Sequence, residues 1–426
     1  MIGYEIHNFA RQLWKLNRSL TGEGVRETLL RIGNHLPDMV VHSVPSNTKV
    51  FDWTVPKEWH VREAYIVAPN GKKICDFSIN NLHLVGYSVP FEGNLSLNEL
   101  KKKLYTLPEQ PDAIPYVTSY YEERWGFCLS QNEFDSLEDG DYKIKIDSEL
   151  FKGKLNYGEL IIPGKSEKEV FLSTYICHPS MANNELSGPT VVTYLANWLC
   201  NLKDREFTYR IIFVPETIGS ITYLSINHIE MKKKIFAGFN ISCIGDNRAY
   251  SYLPSRDGKT ISDDVAKHVL AWIDPNFIKY TWLDRGSDER QYCSPGIDLP
   301  IASILRTKWL EYPEYHTSLD NLEDVVTPKG LDGGYWAIRK SLELIERNKK
   351  FKVTVLGEPQ MSKRDFYPTL SIKKINNNKN LMMDFITMCD GNTSVLDIAN
   401  KLNIPAWDLY DIIDKLKSCN LIVESN

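Results

Sequence analysis

Residues 170–189 read VFLSTYICHPSMANNELSGP, and the fold class turns on this stretch. VFLSTYI is a continuous apolar run of strand length, rich in β-branched and aromatic residues, as expected of a strand buried on both faces. It runs directly into His178. Ser187 then stands where a helix cap is expected, and Val191, Leu195, Trp198 and Leu199 form one apolar stripe behind it. Downstream, RIIFV (210–214) runs into Pro215 and Glu216, IFAGFNISCIG (235–245) and PIASILR (300–306) read as further strands, and TPKGLDGGYWAIRKSLELIERNKK (327–350) reads as a long helix. Strands alternating with helices predict an α/β domain with a mostly parallel sheet flanked by helices. In such sheets ligands bind outside the carboxyl ends of the strands. His178 and Glu216 both fall there.

On either side of this core the texture changes. Residues 1–50 begin with an amphipathic helix carrying Tyr4, Ile6, Phe9, Leu13 and Leu16. From 51 to 145 short β-like runs are broken by Pro, Gly and Asn. Among them HVREAYIVAPNGKKICDF (60–77) reads as two strands around an Asn-Gly turn. The expected organisation is an α/β domain over 1–50 and 146–352, an inserted β-rich subdomain over 51–145, and a winged-helix domain over 365–426. A linker rich in Gly and Pro (351–370) precedes three short helices at 381–388, 395–402 and 406–416 and a β wing at 421–423.

Composition narrows the function. With 426 residues, 42% hydrophobic, 25% charged and a net charge of −5, the chain reads as a soluble multidomain protein without the basic excess of a nucleic-acid binder. From residue 371 onward there are six Lys, no Arg and seven acidic residues, and the candidate recognition helix PAWDLYDIIDKLKS (405–418) carries Asp408, Asp411 and Asp414. Phosphate binding requires cations, so the expected role is protein contact or self-association rather than DNA binding. Eight scattered cysteines form no CxxC pair, and no stretch has the length of a membrane span. The expectation is a cytoplasmic protein with reduced thiols and no membrane contact. Cys177, beside His178, reads as a small buried hydrophobe rather than a nucleophile.

Metal-assisted amide hydrolysis needs imidazole or carboxylate ligands, a carboxylate to take a proton from water, and a group to polarise the carbonyl. His178 and His316, the latter in EYPEYHTSLDNL (311–322), are candidate ligands, and Glu216 is the candidate general base. At these positions the chain resembles the zinc aminopeptidases. The matching segments are His178, Ala182-Asn183-Asn184-Glu185-Leu186-Ser187-Gly188, Glu216-Thr217, Asn240-Ile241-Ser242 and Tyr315-His316-Thr317-Ser318-Leu319-Asp320, with Gly286-Ser287-Asp288 as a substrate-side loop. Over nearly its whole length it is similar to bacterial proteins with an aminopeptidase-like domain that are labelled as polysaccharide-biosynthesis proteins. Those carry an inserted β subdomain and a C-terminal winged helix.

The resemblance implies a zinc-exopeptidase-like fold, but three family carboxylates are replaced, by Asn184, Thr217 and Ser242. Loss of that charge leaves the expectation of one zinc ion. Its third ligand is Glu185 or Asp246, with Asn184 a weak ligand or a partner of bound water. Asp320 orients His316 or caps a helix. Asp288 and Glu289 anchor a substrate amine or pair with Arg285 and Arg290. Tyr315, with Trp309 and Tyr312, lines a pocket or packs in the core. The expected activity is hydrolysis of an amide in a short peptide or an N-acylated sugar intermediate, the glycan link coming from the family label alone. The alternative is a non-catalytic scaffold that binds a ligand or partner.

Overall fold

The computed structural model describes residues 1–364 and 377–425. The chain forms two compact units, one of residues 1–263 and 277–336, the other of 264–276 and 337–426.

The first unit is built on an eight-stranded mixed sheet. Its strands are β1 (Val40–Pro45), β2 (Lys154–Ile162), β3 (Ser166–Tyr175), β4 (Phe207–Val214), β5 (Ile235–Asn240), β6 (Ser251–Leu253), β7 (Ile278–Lys279) and β8 (Ile301–Leu305), in the spatial order β1-β2-β4-β3-β5-β8-β6-β7. The four central strands, β4-β3-β5-β8, are parallel; β1, β2 and the β8–β6 pair are antiparallel. Val170, Phe171 and Leu172 are fully buried, which is why β3 reads as an unbroken apolar run instead of an alternating one. Helix α1 (Ser187–Asn201) joins β3 to β4, and helix α2 (Ile218–Lys234) joins β4 to β5. The chain steps from β3 to β4 on one side, then crosses to β5 on the other. By the right-handed rule for parallel crossovers, two connections in opposite directions place α1 and α2 on opposite faces, and the adjacent carboxyl ends of β3 and β4 flank the point where the direction reverses.

Ser187 does not cap α1 through its side chain, contrary to the sequence expectation. The helix is entered from a wide turn over Ala182–Leu186 in which Leu186 N–H donates to Met181 O, five residues back, at 3.4 Å. The chain is thus already helical at 187, and the Ser187 hydroxyl instead donates to Asn183 O (2.6 Å) and accepts from Ile244 N–H (3.0 Å). Gly188 lets α1 sit close to the sheet: a Cβ there would lie 2.4 Å from Thr174 Oγ1 and 2.6 Å from Ile241 O.

The segment between β1 and β2 carries an antiparallel sheet of Glu58–Val67, Lys73–Ile74, Phe91–Ser96 and Asp141–Phe151. The expected Asn-Gly turn is present, with Gly71 at φ 84° and Ala68 N–H bonded to Lys72 O at 2.9 Å. In the second unit, strands Lys350–Val353, Asp390–Ser394 and Ile422–Ser425 form one sheet beside helices Asn377–Thr387, Val395–Leu402 and Tyr410–Ser418. Ser394 and Asp397 make a reciprocal cap at the second helix. The stretch read as a linker therefore opens with a strand. KFKV is too short to announce itself, and its pairing partners lie about forty and seventy residues away. Residues 365–370 of that stretch lie outside the described residues. Among the described residues no helix is long and apolar enough to cross a membrane.

Candidate active site

His178 and Glu216 follow the carboxyl ends of the adjacent strands β3 and β4. His316 comes from a long loop after β8 and has φ 56°. The fold brings the two imidazoles together, ring centroids 5.5 Å apart and planes 41° inclined. Glu216 Oε2 lies 3.6 Å from Nε2 of His178.

The other nitrogen of His178 is engaged by a carboxylate. Nδ1 lies 2.9 Å from Oε2 of Glu185, a residue of the wide turn before α1. When Glu185 is ionised it fixes Nδ1 as the donor and leaves Nε2 with a lone pair facing Glu216. Arg18 completes the arrangement from the N-terminal segment. Its Nε donates to His178 O at 3.0 Å and lies 3.5 Å from Glu185 Oε1, while Nη1 donates to Leu13 O. Cys177 Sγ, His178 and Glu185 also cluster within 4.8 Å. The thiol lies 3.5 Å from Nδ1, the nitrogen Glu185 already holds, and it receives Glu216 N–H at 3.2 Å. Burial pushes its pKa well above the usual thiol range, so it is not a ready nucleophile.

Glu216 is carried on a strained corner. Thr217 has φ 62° and ψ −74°, and Ile218 N–H donates back to Glu216 O at 2.8 Å. This is a γ-turn of the rare positive-φ kind. Asp288 holds it: Oδ1 accepts from Thr217 N–H and from the Ser220 hydroxyl, both at 2.7 Å.

The remaining acidic candidates are committed to hydrogen bonds. Asp246 accepts from Asn183 Nδ2, Thr307 N–H and Oγ1, and Arg248 N–H. Asp320 accepts the N–H groups of Asn183 (2.7 Å) and Asn184 (2.9 Å) and the Tyr312 hydroxyl, capping the wide turn before α1. Glu289 accepts Gly286 N–H, Ser287 N–H and Asn240 Nδ2, closing its own loop. Trp309 and Tyr312 are buried, and Tyr315 stacks on His316 with centroids 3.9 Å apart. Of the three positions where the resemblance expects a carboxylate, Asn184 Oδ1 accepts from Tyr175 OH, Thr217 Oγ1 accepts from Arg290, and the Ser242 hydroxyl is buried.

Two residues at the site carried no sequence signal. One is Arg18, a single cation in a polar segment 160 positions before His178. The other is Tyr116 from the inserted subdomain, whose ring lies 5.3 Å from that of His178 and 5.1 Å from that of His316. The insertion is stitched down there by Tyr116 N–H to His316 O and Ser318 N–H to Ile114 O, both 2.9 Å.

Residues 7–348 match the family model described as a domain of unknown function, DUF4910, and residues 349–424 match a winged helix-turn-helix model. The chain belongs to the DUF4910 family. A Clostridium acetobutylicum protein provisionally named as a polysaccharide biosynthesis protein with an aminopeptidase-like domain is 42% identical over 406 residues, 94% of this chain and 91% of that one. A crystal structure of a protein from the same organism, provisionally described as a peptidase, superposes with a TM-score of 0.93 at 41% identity, covering 99% of this chain and 96% of that one. A zinc aminopeptidase from Bacillus subtilis is similar in fold, with a TM-score of 0.59, 13% identity, and 80% and 94% coverage. The DUF4910 domain therefore has the aminopeptidase-like α/β fold, followed by a winged helix.

Burial sets the charge state of this DUF4910 site. Desolvation, aided by Arg18, lowers the pKa of His178 to about 3; desolvation, aided by His178, lowers that of His316 to about 3. Both rings are neutral and able to coordinate. Desolvation raises Glu185 to about 8 against the pull of Arg18, and raises Glu216 to about 8 together with the nearby charge of Asp288. The donor types are those a divalent ion with nitrogen ligands takes: two neutral imidazoles with ring centroids 5.5 Å apart, and a carboxyl group 3.6 Å from one of them.

Proposed function

We propose that the DUF4910 domain is a zinc-dependent hydrolase that cleaves an amide, in a short peptide or an N-acylated sugar intermediate. One observation carries the reading. Glu185 holds His178 by Nδ1 so that its other nitrogen faces Glu216, and the ring of His316 stands 5.5 Å from that of His178. His178 and His316 would hold one zinc ion, because the three substituted positions supply no carboxylate for a second. When bound, zinc polarises a carbonyl and brings the pKa of a coordinated water to about 7. Glu185 acts through His178 and not as a ligand, since its Oε2 is spent on Nδ1 and its Oε1 faces the Arg18 guanidinium at 3.5 Å. Once ionised, Glu216 takes a proton at Oε2 and returns it to the leaving nitrogen; its pKa, raised to about 8 in the metal-free site, makes it a stronger base than an ordinary carboxylate. Tyr315 and Tyr116 wall the site with aromatic surface. The peptide half of the substrate reading is supported by the zinc aminopeptidase fold, the sugar half by the name of the Clostridium relative.

The winged helix fits a protein contact or self-association better than DNA, for want of cations. All eight cysteines are free, which supports a reducing, cytoplasmic location. The test is metal analysis of protein purified without chelators, joined to hydrolysis of an aminoacyl-4-nitroanilide panel and of N-acetylated amino sugars. One zinc per chain is expected, lost in His178→Ala and His316→Ala, with hydrolysis abolished but metal retained in Glu216→Gln. Protein that returns neither zinc nor hydrolysis is instead a ligand-binding scaffold.

A further inference from the structure

The corner that carries Glu216 is not one a Thr adopts on its own. A positive φ is a genuine outlier for a β-branched residue, because Cβ and its branches crowd the neighbouring carbonyls. Such a conformation persists only where the surroundings over-determine it. Here the surroundings can be named. Asp288 Oδ1 takes both the Thr217 N–H and the Ser220 hydroxyl at 2.7 Å, and Arg290 Nη2 donates to Thr217 Oγ1 at 2.8 Å. Asp288 is fully buried, and its second oxygen, Oδ2, has no hydrogen-bond partner. The side chain is therefore committed to the turn through one oxygen, with nothing else to hold. The turn ends at Ile218, the first residue of α2, so any relaxation of Thr217 swings the preceding residue, Glu216, relative to His178.

We propose that Asp288 is a positioning residue for Glu216: it clamps the strained Thr217 turn and thereby keeps the Glu216 carboxylate facing Nε2 of His178. The catalytic consequence rests on the reading of Glu216 given above; the positional claim does not. Asp288 itself need touch neither substrate nor metal.

The experiment compares Asp288→Ala, Asp288→Asn and the double variant Asp288→Ala/Thr217→Gly in the full-length chain. Each is crystallised and assayed on the aminoacyl-4-nitroanilide panel. In Asp288→Ala, Thr217 should relax to negative φ, the Glu216–His178 separation should open beyond 4 Å, and kcat should fall about 100-fold with KM little changed. Asp288→Asn keeps an acceptor oxygen at Oδ1 and should retain the turn and a rate within about threefold. Glycine adopts positive φ without strain, so the double variant should recover the turn and most of the lost rate. An Asp288→Ala structure with the turn and the 3.6 Å approach unchanged overturns the proposal, as does a double variant that recovers nothing. If Asp288→Ala does not fold, recovery of folded protein in the double variant supports the clamp and its absence overturns it. If no variant and no wild-type protein hydrolyses any probe, the hydrolase reading fails, while the crystal structures still decide the positional claim.

Discussion

Arg18 and Glu185 form an ion pair, Nε to Oε1 at 3.5 Å, with both side chains wholly sealed from solvent. Two charges removed from water repay their desolvation only through each other and through added hydrogen bonds. Arg18 has two of these, to His178 O and Leu13 O; Glu185 has one, to His178 Nδ1.

Breaking this pair from one side should be costly. At pH 9, above the value of about 8 to which burial raises Glu185, Arg18→Met leaves a buried carboxylate without its counter-charge and should destabilise the first unit by about 3–5 kcal/mol. Arg18→Met/Glu185→Gln should cost less than that single change, because the uncompensated charge is gone. Urea unfolding of both variants checks the order; a double variant weaker than Arg18→Met would contradict it.

Glu185 also orients the ring proposed to bind zinc. Removing such a partner typically costs about 10–100-fold in metal affinity. Glu185→Ala should lose zinc affinity by that amount, measured by competition with a chromophoric chelator, and Glu185→Gln should lose less, because an amide oxygen still accepts from Nδ1. Equal affinity in all three proteins would show that Glu185 has no hold on the site.

Stability of the metal-free protein should depend on pH with a defined sign. His178 and His316 have pKa values lowered to about 3 from 6.5, so their contribution is present above 6.5 and lost as pH falls toward 3. Glu185 and Glu216 have values raised from 4.5 to about 8, so theirs is present below 4.5 and lost as pH rises through 8. Asp288 and Asp320, raised to about 6, act in the same direction as the glutamates but lower on the scale. Between 4.5 and 6.5 the two kinds of group oppose each other; above 6.5 only the acids still titrate. The Tm of chelator-treated protein should therefore fall from pH 6.5 to pH 8, and Glu185→Gln/Glu216→Gln should flatten that fall.

The substituted positions should respond to restored charge. Ser242 is buried beside Tyr175, so Ser242→Asp places a desolvated carboxylate beside the site. Without metal the variant should be destabilised by several kcal/mol; with zinc it should recover, and together with Asn184→Asp it should raise the metal content above that of wild type. A Tm shift on adding zinc that is no larger than wild type's would count against a divalent site here.

The winged helix should not retain DNA. The helix Tyr410–Ser418 and the turn before it carry Asp408, Asp411 and Asp414 against Lys415 and Lys417. Gel-shift titration of the full chain with duplex DNA at 50 mM salt should show no saturable complex; one that weakens steeply between 50 and 200 mM salt would reverse that assignment.

Much of the fold was legible because its signals are local. The apolar run before His178 and the one before Glu216 are strands buried on both faces, and their ends fall where such sheets place ligands. The Asn-Gly turn at 70–71 could be read for the same reason: it is built by neighbours in the chain. The strand at 350–353 was not, since four residues carry no period and its partners are distant.

The sequence by itself determined which side chains stand at the strand ends: His178 and Glu216. Tertiary structure alone decided what those side chains face. Arg18 reaches Glu185 from the N-terminal segment, Tyr116 reaches both imidazoles from the insertion, and Asp288 reaches Thr217 from seventy-one residues away. Strand and helix signals arise from periods of two and 3.6 residues along one segment. A hydrogen bond between distant segments has no period, so only the closed sheet and the loops packed on its carboxyl edge could reveal it.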